Sequence, residues 1–283
     1  MSEHPFRACV RFVTDMVRLC GRYNVPRAAA ALSYYFLLSV FPLVICVNAF
    51  LGLAHADLQP FLWSLERVLP QQALALVRDY VDYTGQHASP ALLYAAVPAI
   101  LLSASAALRV LLDAMDELFD HPRDTGVRRI VLSVLFSVLF LMMIYLSLAV
   151  ILSGDWLFHW LEQVLVLPAG ITAVTDLWGR LRYVLLLCIV ILMVTVLYRI
   201  GIPRRAVRPL PVLVSALLTS GALVGSSAVF SWFIGMSSRY SLLYGSLASL
   251  IILLVWLYLC GMILLLGAVF LRRWVTRPAK KKK

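Results

Sequence analysis

Six runs of mainly apolar residues, each long enough to cross a lipid bilayer as a helix, constrain this chain more than any other feature. A hydrocarbon core of about 30 Å takes roughly 20 apolar residues of α-helix. Residues 32–53, 92–112, 130–153, 183–200, 211–234 and 244–271 meet that requirement. The last run is long for an upright span, so it tilts or continues past the bilayer. Composition leaves no soluble alternative. Of 283 residues, 62% are hydrophobic and 14% charged, whereas soluble domains run about 45–50% apolar and about 25% charged. The expected fold is all-α: a polytopic membrane protein with six transmembrane helices.

Charge sets the orientation. Of 25 Lys and Arg, twenty fall in the N-terminal segment, the loops after spans two and four, and the C-terminal tail. The opposite side holds five: Arg67, Arg78, Arg180, Arg182 and Arg239. The 14 acidic residues divide evenly and carry no vote. Lys and Arg collect on the cytoplasmic side of bacterial membranes, so both termini are expected there. The net charge of +11 is then explained by topology and anionic phospholipid at the cytoplasmic face, with no nucleic-acid partner required. The first apolar run starts too late and is too long for the core of a cleavable signal, so span one is expected to be an uncleaved anchor. Residues 1–26, 27–275 and 276–283 read as an interfacial helix, the six-span membrane domain and a basic cytoplasmic tail.

The N-terminal segment repeats apolar residues at helical spacing: Phe6, Cys9, Val10, Val13, Met16, Val17 and Cys20. Arg7, Arg11, Arg18 and Arg22 fall on the other face. That pattern predicts a basic amphipathic helix on the inner leaflet, with these arginines as lipid-binding residues. Short amphipathic helices are expected in the outer loops. Residues 57–84 carry the helical spacing on both sides of Pro70, which should break them into two. Residues 155–180 carry Trp156, Phe158, Trp160 and Trp178, types that favour the water–lipid boundary. Five scattered cysteines without a CxxC exclude a disulfide framework and a zinc ribbon.

Two segments carry a family likeness. AAAALSYYFLLSVFPLVICVNAFLGL at 28–53 and YGSLASLIILLVWLYLCGMILLLGAVF at 244–270 resemble the first and last spans of the YihY/virulence factor BrkB family of bacterial inner-membrane proteins. The likeness extends over essentially the whole chain. It departs at Val269, where many relatives carry Glu, at Ala248, where a Gly is expected, and at Asp116, where an Asn is expected. The resemblance implies an inner-membrane protein of the envelope with a virulence association and leaves the substrate open.

The family has carried a ribonuclease label, so hydrolytic chemistry was sought in the residues. A metal-dependent hydrolase needs clustered ligands to activate water, and His4, His55, His87, His121 and His159 are isolated, with no HxH or HExxH. No span holds a His or a pair of aspartates for intramembrane proteolysis. No GxxxxGK[ST] or GxGxxG occurs, so nucleotide-driven pumping has no sequence support. Neither a catalytic residue, a metal site nor a cofactor is expected, and the chain does not read as an enzyme.

Intramembrane polar groups remain. Span one carries Tyr35, Ser39, Pro42 and Asn48. Pro42 removes a backbone donor, which predicts a kink and a freed carbonyl at Leu38. Span five carries Ser227 among several hydroxyls, together with a GxxxG at Gly221 and Gly225 whose ordinary use is close helix packing. Tyr244 stands at the outer end of span six and Trp256 near its middle, away from the interface tryptophan prefers. These are candidate cavity-lining, substrate-binding residues between spans one, five and six; packing within the bundle is the competing reading. At the inner end of span two, Asp113, Asp116 and Glu117 form an acidic stripe that could serve a coupling ion. The competing reading is a solvated cytoplasmic helix end, partly neutralised by Arg128 and Arg129, and Arg109 is placed to pair with Asp113 four residues on.

Scattered polar groups without a catalytic cluster fit a transporter, exporter or flippase-like protein for a small solute or an amphipathic lipid-like molecule. The alternative is a non-transporting protein of envelope integrity or interaction, associated with virulence or serum resistance. Oligomeric state is not legible.

Overall fold

The computed structural model describes residues 5–53, 74–75, 78–79, 90–120, 126–164, 171–201, 209–235 and 247–276. The described residues form helices α1 (Pro5–Arg22), α2 (Val25–Leu53), α3 (Pro90–Leu118), α4 (Val127–Val164), α5 (Ile171–Gly201), α6 (Pro209–Gly235) and α7 (Leu247–Thr276). Helices α2 to α7 each contain a segment long and apolar enough to cross a membrane, in the order expected of spans one to six. The all-helical, six-span fold is therefore observed.

Helix ends follow local chemistry. Asn24 terminates α1 with φ 48° and Asp120 terminates α3 with φ 50°, a left-handed backbone that Asn and Asp tolerate better than most residues. The Asn24 carbonyl then accepts from the Arg27 and Ala28 amides, so one residue closes α1 and opens α2. Pro90 and Pro209 stand at the first positions of α3 and α6, where a missing N–H costs nothing. Helix α2 runs unbroken through Pro42, and α3 through Pro98.

The spans pack in sequence order around a ring. Each of α2 to α6 lies against its successor, and α7 closes onto α2 while also touching α3. The main core gathers Tyr23, Leu32, Leu111, Met115, Tyr198, Leu265 and Leu271 at the end of the bundle that carries the basic segments. Helix α4 is absent from that group of buried residues. Only 11% of its span is buried, against 22–39% for the others. It is the span least held by apolar packing.

Two expectations change. The second outer segment does not fold as separate short helices. Helix α4 continues for 38 residues to Val164, about 57 Å at 1.5 Å per residue, and α5 already begins at Ile171. Apolar residues spaced helically on both sides of the boundary let the spans run on. Of residues 57–84, Leu74 is buried and helical, and most of the rest lie outside the described residues. The apolar face of α1 also divides. Met16, Leu19 and Cys20 pack against the core, while Val17 is 65% exposed beside exposed Arg18 and Arg22. Asp15 ties α1 to Arg273 of α7 at 3.0 Å.

Candidate functional site

The residues singled out in the sequence lie in different surroundings. Ser39 and Ser227 are buried, and each hydroxyl is donated to its own helix, to Phe36 O at 2.7 Å and to Leu223 O at 3.0 Å. Pro42 is half-buried. Tyr35 packs against the main core, its ring edge-on to exposed Tyr34 at 5.4 Å. Trp256 packs on one side against the Leu253–Leu257 cluster, which Phe36, Leu37 and Val40 of α2 also cover, and on the other against the cluster of Phe230 of α6 and Ile252. Its indole N–H is buried without an acceptor among the described residues. The side chains of Arg7, Arg11 and Asn48, and the whole of Tyr244, lie outside the described residues.

The hydroxyls of span five divide between the two uses that membrane helices make of them. Ser226 bonds back to its own turn. Ser215 crosses to α7 and donates to Gly267 O at 2.7 Å. Thr219 Oγ1 lies 3.0 Å from the hydroxyl of fully buried Tyr198, which donates to Leu264 O at 2.7 Å. A Cβ on Gly267 would overlap both Thr219 Oγ1 and the Tyr198 hydroxyl. The Leu-Gly-Ala of the closing span thus has a physical reason. Glycine admits two side chains to the α7 backbone, and Ala268 and Val269 are fully buried beside it. The GxxxG takes no part in this packing. Gly221 and Gly225 are exposed, with nothing within 4 Å of a Cβ at either.

The densest polar constellation joins α3 to α4. Ser105, Arg109, Asp113 and Asp116 recur at steps of four and three on α3, and Arg129, Ser133 and Ser137 at steps of four on α4. Such steps keep residues on one face. Arg109 donates to Ser105 Oγ at 3.3 Å; the Ser105 and Ser133 hydroxyls are 2.8 Å apart; Ser133 donates to Ile130 O at 2.9 Å. Ser105, Ser133 and Ser137 are each at most 1% exposed. One turn toward the helix ends, Arg129 holds Asp113 at 2.6 Å and also Asp116. Asp113 therefore pairs across the interface with Arg129, in preference to its sequence neighbour Arg109. The guanidinium of Arg129 is nine-tenths buried, and its Nε–H has no acceptor among the described residues. Beside the seam lies a small apolar cleft lined by Leu108 of α3, by Phe136, Leu139, Phe140 and Met143 of α4, and by Met193, Val196 and Leu197 of α5.

A second ionic knot closes the same end of the bundle. Arg272 of α7 donates to Leu118 O, the last carbonyl of α3, and holds Asp120 at 2.7 Å, with its guanidinium 4.5 Å above the Tyr23 ring. Tyr23 donates in turn to Asp120 at 3.3 Å. Cations at a helix C-terminus complement its dipole, so Arg272 seats α3 against α7 and the α1–α2 corner.

Sequence reasoning did not single out Ser105, Ser133 or Ser137, and it placed Arg129, with Arg128, only as a partial neutraliser of a solvated acidic helix end. The available signal was the four-residue step of 129, 133 and 137 matched by that of 105, 109 and 113. Among the described residues no group of three or more His, Cys, Asp or Glu is placed to hold a metal ion.

Six apolar helices in a ring, joined inside by hydroxyls and at one end by arginine–aspartate pairs, define a polytopic α-helical membrane protein. The chain belongs to the virulence factor BrkB family, whose model matches residues 17–282. It is 26% identical to a ribonuclease-like protein, YfkH, of Bacillus subtilis over 88% of this chain and 90% of that protein. It is 29% identical to a UPF0761 membrane protein of Aromatoleum aromaticum over 88% of this chain, but spans only 61% of that relative. A UPF0761 membrane protein of Chromobacterium violaceum is 33% identical over 42% of the chain. No solved structure matches.

Proposed function

We propose that this protein moves an amphipathic, lipid-like molecule across or within the bacterial inner membrane, with the α3–α4 seam as its path. The observation that carries this reading is the continuity of the seam. Buried polar groups from Arg129 to Ser137 run in from the charged end of the bundle, and a small apolar cleft shared with α5 lies beside them at Leu108 and Phe136, the chain neighbours of Arg109 and Ser137. Polar groups within a bilayer are costly and collect where function needs them. A headgroup and an acyl chain need such contrasting surroundings side by side, and a small polar solute does not need the cleft. Helix α4, weakly held by apolar packing, is the element that would swing to open the path. Both termini are cytoplasmic in this reading, as the distribution of basic residues requires. In this reading the protein is not an enzyme, and the ribonuclease-like wording of one relative's name has no counterpart in a metal-ligating cluster among the described residues.

The test is reconstitution of the purified protein in liposomes, with inward and outward movement of fluorescent lipid analogues measured against leakage of small polar solutes. Lipid movement above that of protein-free liposomes, lowered by Ser105→Ala with Ser133→Ala, supports the reading. Solute passage without lipid movement contradicts it.

A second reading draws on α4. A helix of about 57 Å outreaches a core of about 30 Å and offers an extra-membrane post for another envelope protein. This fits an envelope-integrity or interaction role, and the same liposomes would then show no movement of either class.

A further inference from the structure

We propose that the α3–α4 seam recognises a zwitterionic headgroup, with an oxyanion taken by Arg129 and Arg109 and an ammonium taken by Asp113 and Asp116. The inference rests on the transport reading and names the chemical class of its cargo.

The first argument is an orphaned donor. Burying a guanidinium is costly unless its N–H groups are satisfied. Arg129 is nine-tenths buried; its Nη1 bonds Asp116, while its Nη2 is ion-paired with Asp113 at 2.6 Å without hydrogen-bond geometry. Its Nε–H, buried between the two helices, has no acceptor among the described residues. Arginine presents its donors as a planar fork suited to phosphate and carboxylate oxygens, so the vacant edge is a place for an oxygen of that kind. Arg109 is one helical turn from Asp113 on the same face. It donates only to the neutral Ser105 among the bonds that hold the seam and keeps further donors for the same oxyanion.

The second argument is charge. Arg109 and Arg129 stand against Asp113 and Asp116, two charges of each sign, while Glu117, one turn beyond Asp113, has a partner of its own. Asp120 is already taken by Arg272 and Tyr23. A group with net negative charge would unbalance that set. A purely cationic one would leave the Arg129 donor unfilled. A ligand that carries its own compensating ammonium meets both conditions. Asp113, 48% exposed, has a carboxylate oxygen to offer that ammonium at the open end of the seam. The small apolar cleft beside the seam, lined by Leu108 and Phe136, then offers apolar contact to the start of the chain of an amphipathic ligand whose head sits between the helices, the rest of the chain lying in the surrounding lipid.

The experiment is equilibrium binding to the purified full-length protein in a non-ionic detergent. The probes are dihexanoyl phosphatidylethanolamine, dihexanoyl phosphatidylglycerol, and free phosphoethanolamine without acyl chains. The zwitterionic diacyl probe is expected to bind at least tenfold more tightly than the anionic one. Arg129→Lys, which keeps the charge and loses the fork, should erase that binding about tenfold, and Asp113→Asn should narrow the preference over the anionic probe. Free phosphoethanolamine binding as tightly as the diacyl probe would support the headgroup site and identify a soluble zwitterion as its source. Equal or tighter binding of phosphatidylglycerol by the unaltered protein overturns the proposal, whether or not the Arg129 variant folds. So does retention of zwitterion preference in a folded Asp113→Asn, Arg129→Lys double variant. Zwitterion binding without lipid movement in liposomes would sink the transport reading and leave the site standing, while lipid movement with no headgroup preference would do the reverse.

Discussion

Tyr198 donates its hydroxyl to the backbone oxygen of Leu264, 2.7 Å away across the α5–α7 interface. That approach depends on the glycine three residues further along α7, because a Cβ on Gly267 would overlap the same hydroxyl and Thr219 Oγ1. In an exposed helix Gly→Ala gains about 1 kcal/mol of propensity. Here overlap reverses the sign, since overpacking a filled core costs about 1–3 kcal/mol. Gly267→Ala should lower the thermal midpoint in detergent, and much less so when Tyr198→Phe and Thr219→Ala have cleared the space. An equal loss in both backgrounds would show that the overlap is not the cause.

The opposite holds for the GxxxG of α6. Gly221→Leu and Gly225→Leu enter open space and should change stability by no more than about 0.5 kcal/mol, the usual range away from packed features. A loss of 2 kcal/mol or more for the monomeric protein in detergent would restore the packing role that the motif suggests.

Helix α1 offers a chemical reporter. Burial pushes the Cys20 thiol above its ordinary value, so less thiolate is present at pH 8 and alkylation is slowed. The Asp15–Arg273 pair is partly solvent-exposed and contributes at most about 1 kcal/mol. Asp15→Arg should therefore loosen α1 without unfolding the bundle. Cys20 would return toward its ordinary value and react faster at pH 8, and Arg273→Asp in the same chain should slow it again. Unchanged reactivity in the single variant would place the hold on α1 elsewhere, in Met16 and Leu19.

The spans were legible in the sequence because apolar run length is a one-dimensional property, and the physical demand for it is absolute inside a bilayer. Which face of each helix meets which neighbour was not. The spacing of Arg109 and Asp113 expresses a rule internal to one helix, and a buried guanidinium from α4 overrode it. The same limit hid Gly267, whose importance comes from Tyr198 and Thr219, 69 and 48 residues away. It also made Gly221 and Gly225 look like an internal contact. For the candidate site, the acidic stripe at Asp113, Asp116 and Glu117 was visible as a cluster. Arg129 was visible beside it as a neutralising charge, but its burial and its specific pairing with Asp113 and Asp116 were not, and buried serines in an apolar run carry little signal of their own.

The central claim is that the α3–α4 seam opens, and a crosslink across it tests this most directly. The Ser105 and Ser133 hydroxyls are 2.8 Å apart, so cysteines at both positions bring their Cβ atoms near the roughly 3.5–4.5 Å a disulfide spans. In a background lacking the native cysteines, the oxidised double-cysteine protein should lose lipid movement in liposomes and regain it on reduction, while each single-cysteine protein is indifferent to oxidant. Lipid movement that persists at full crosslinking would show that the seam stays shut during transport, and the path proposed here would be wrong.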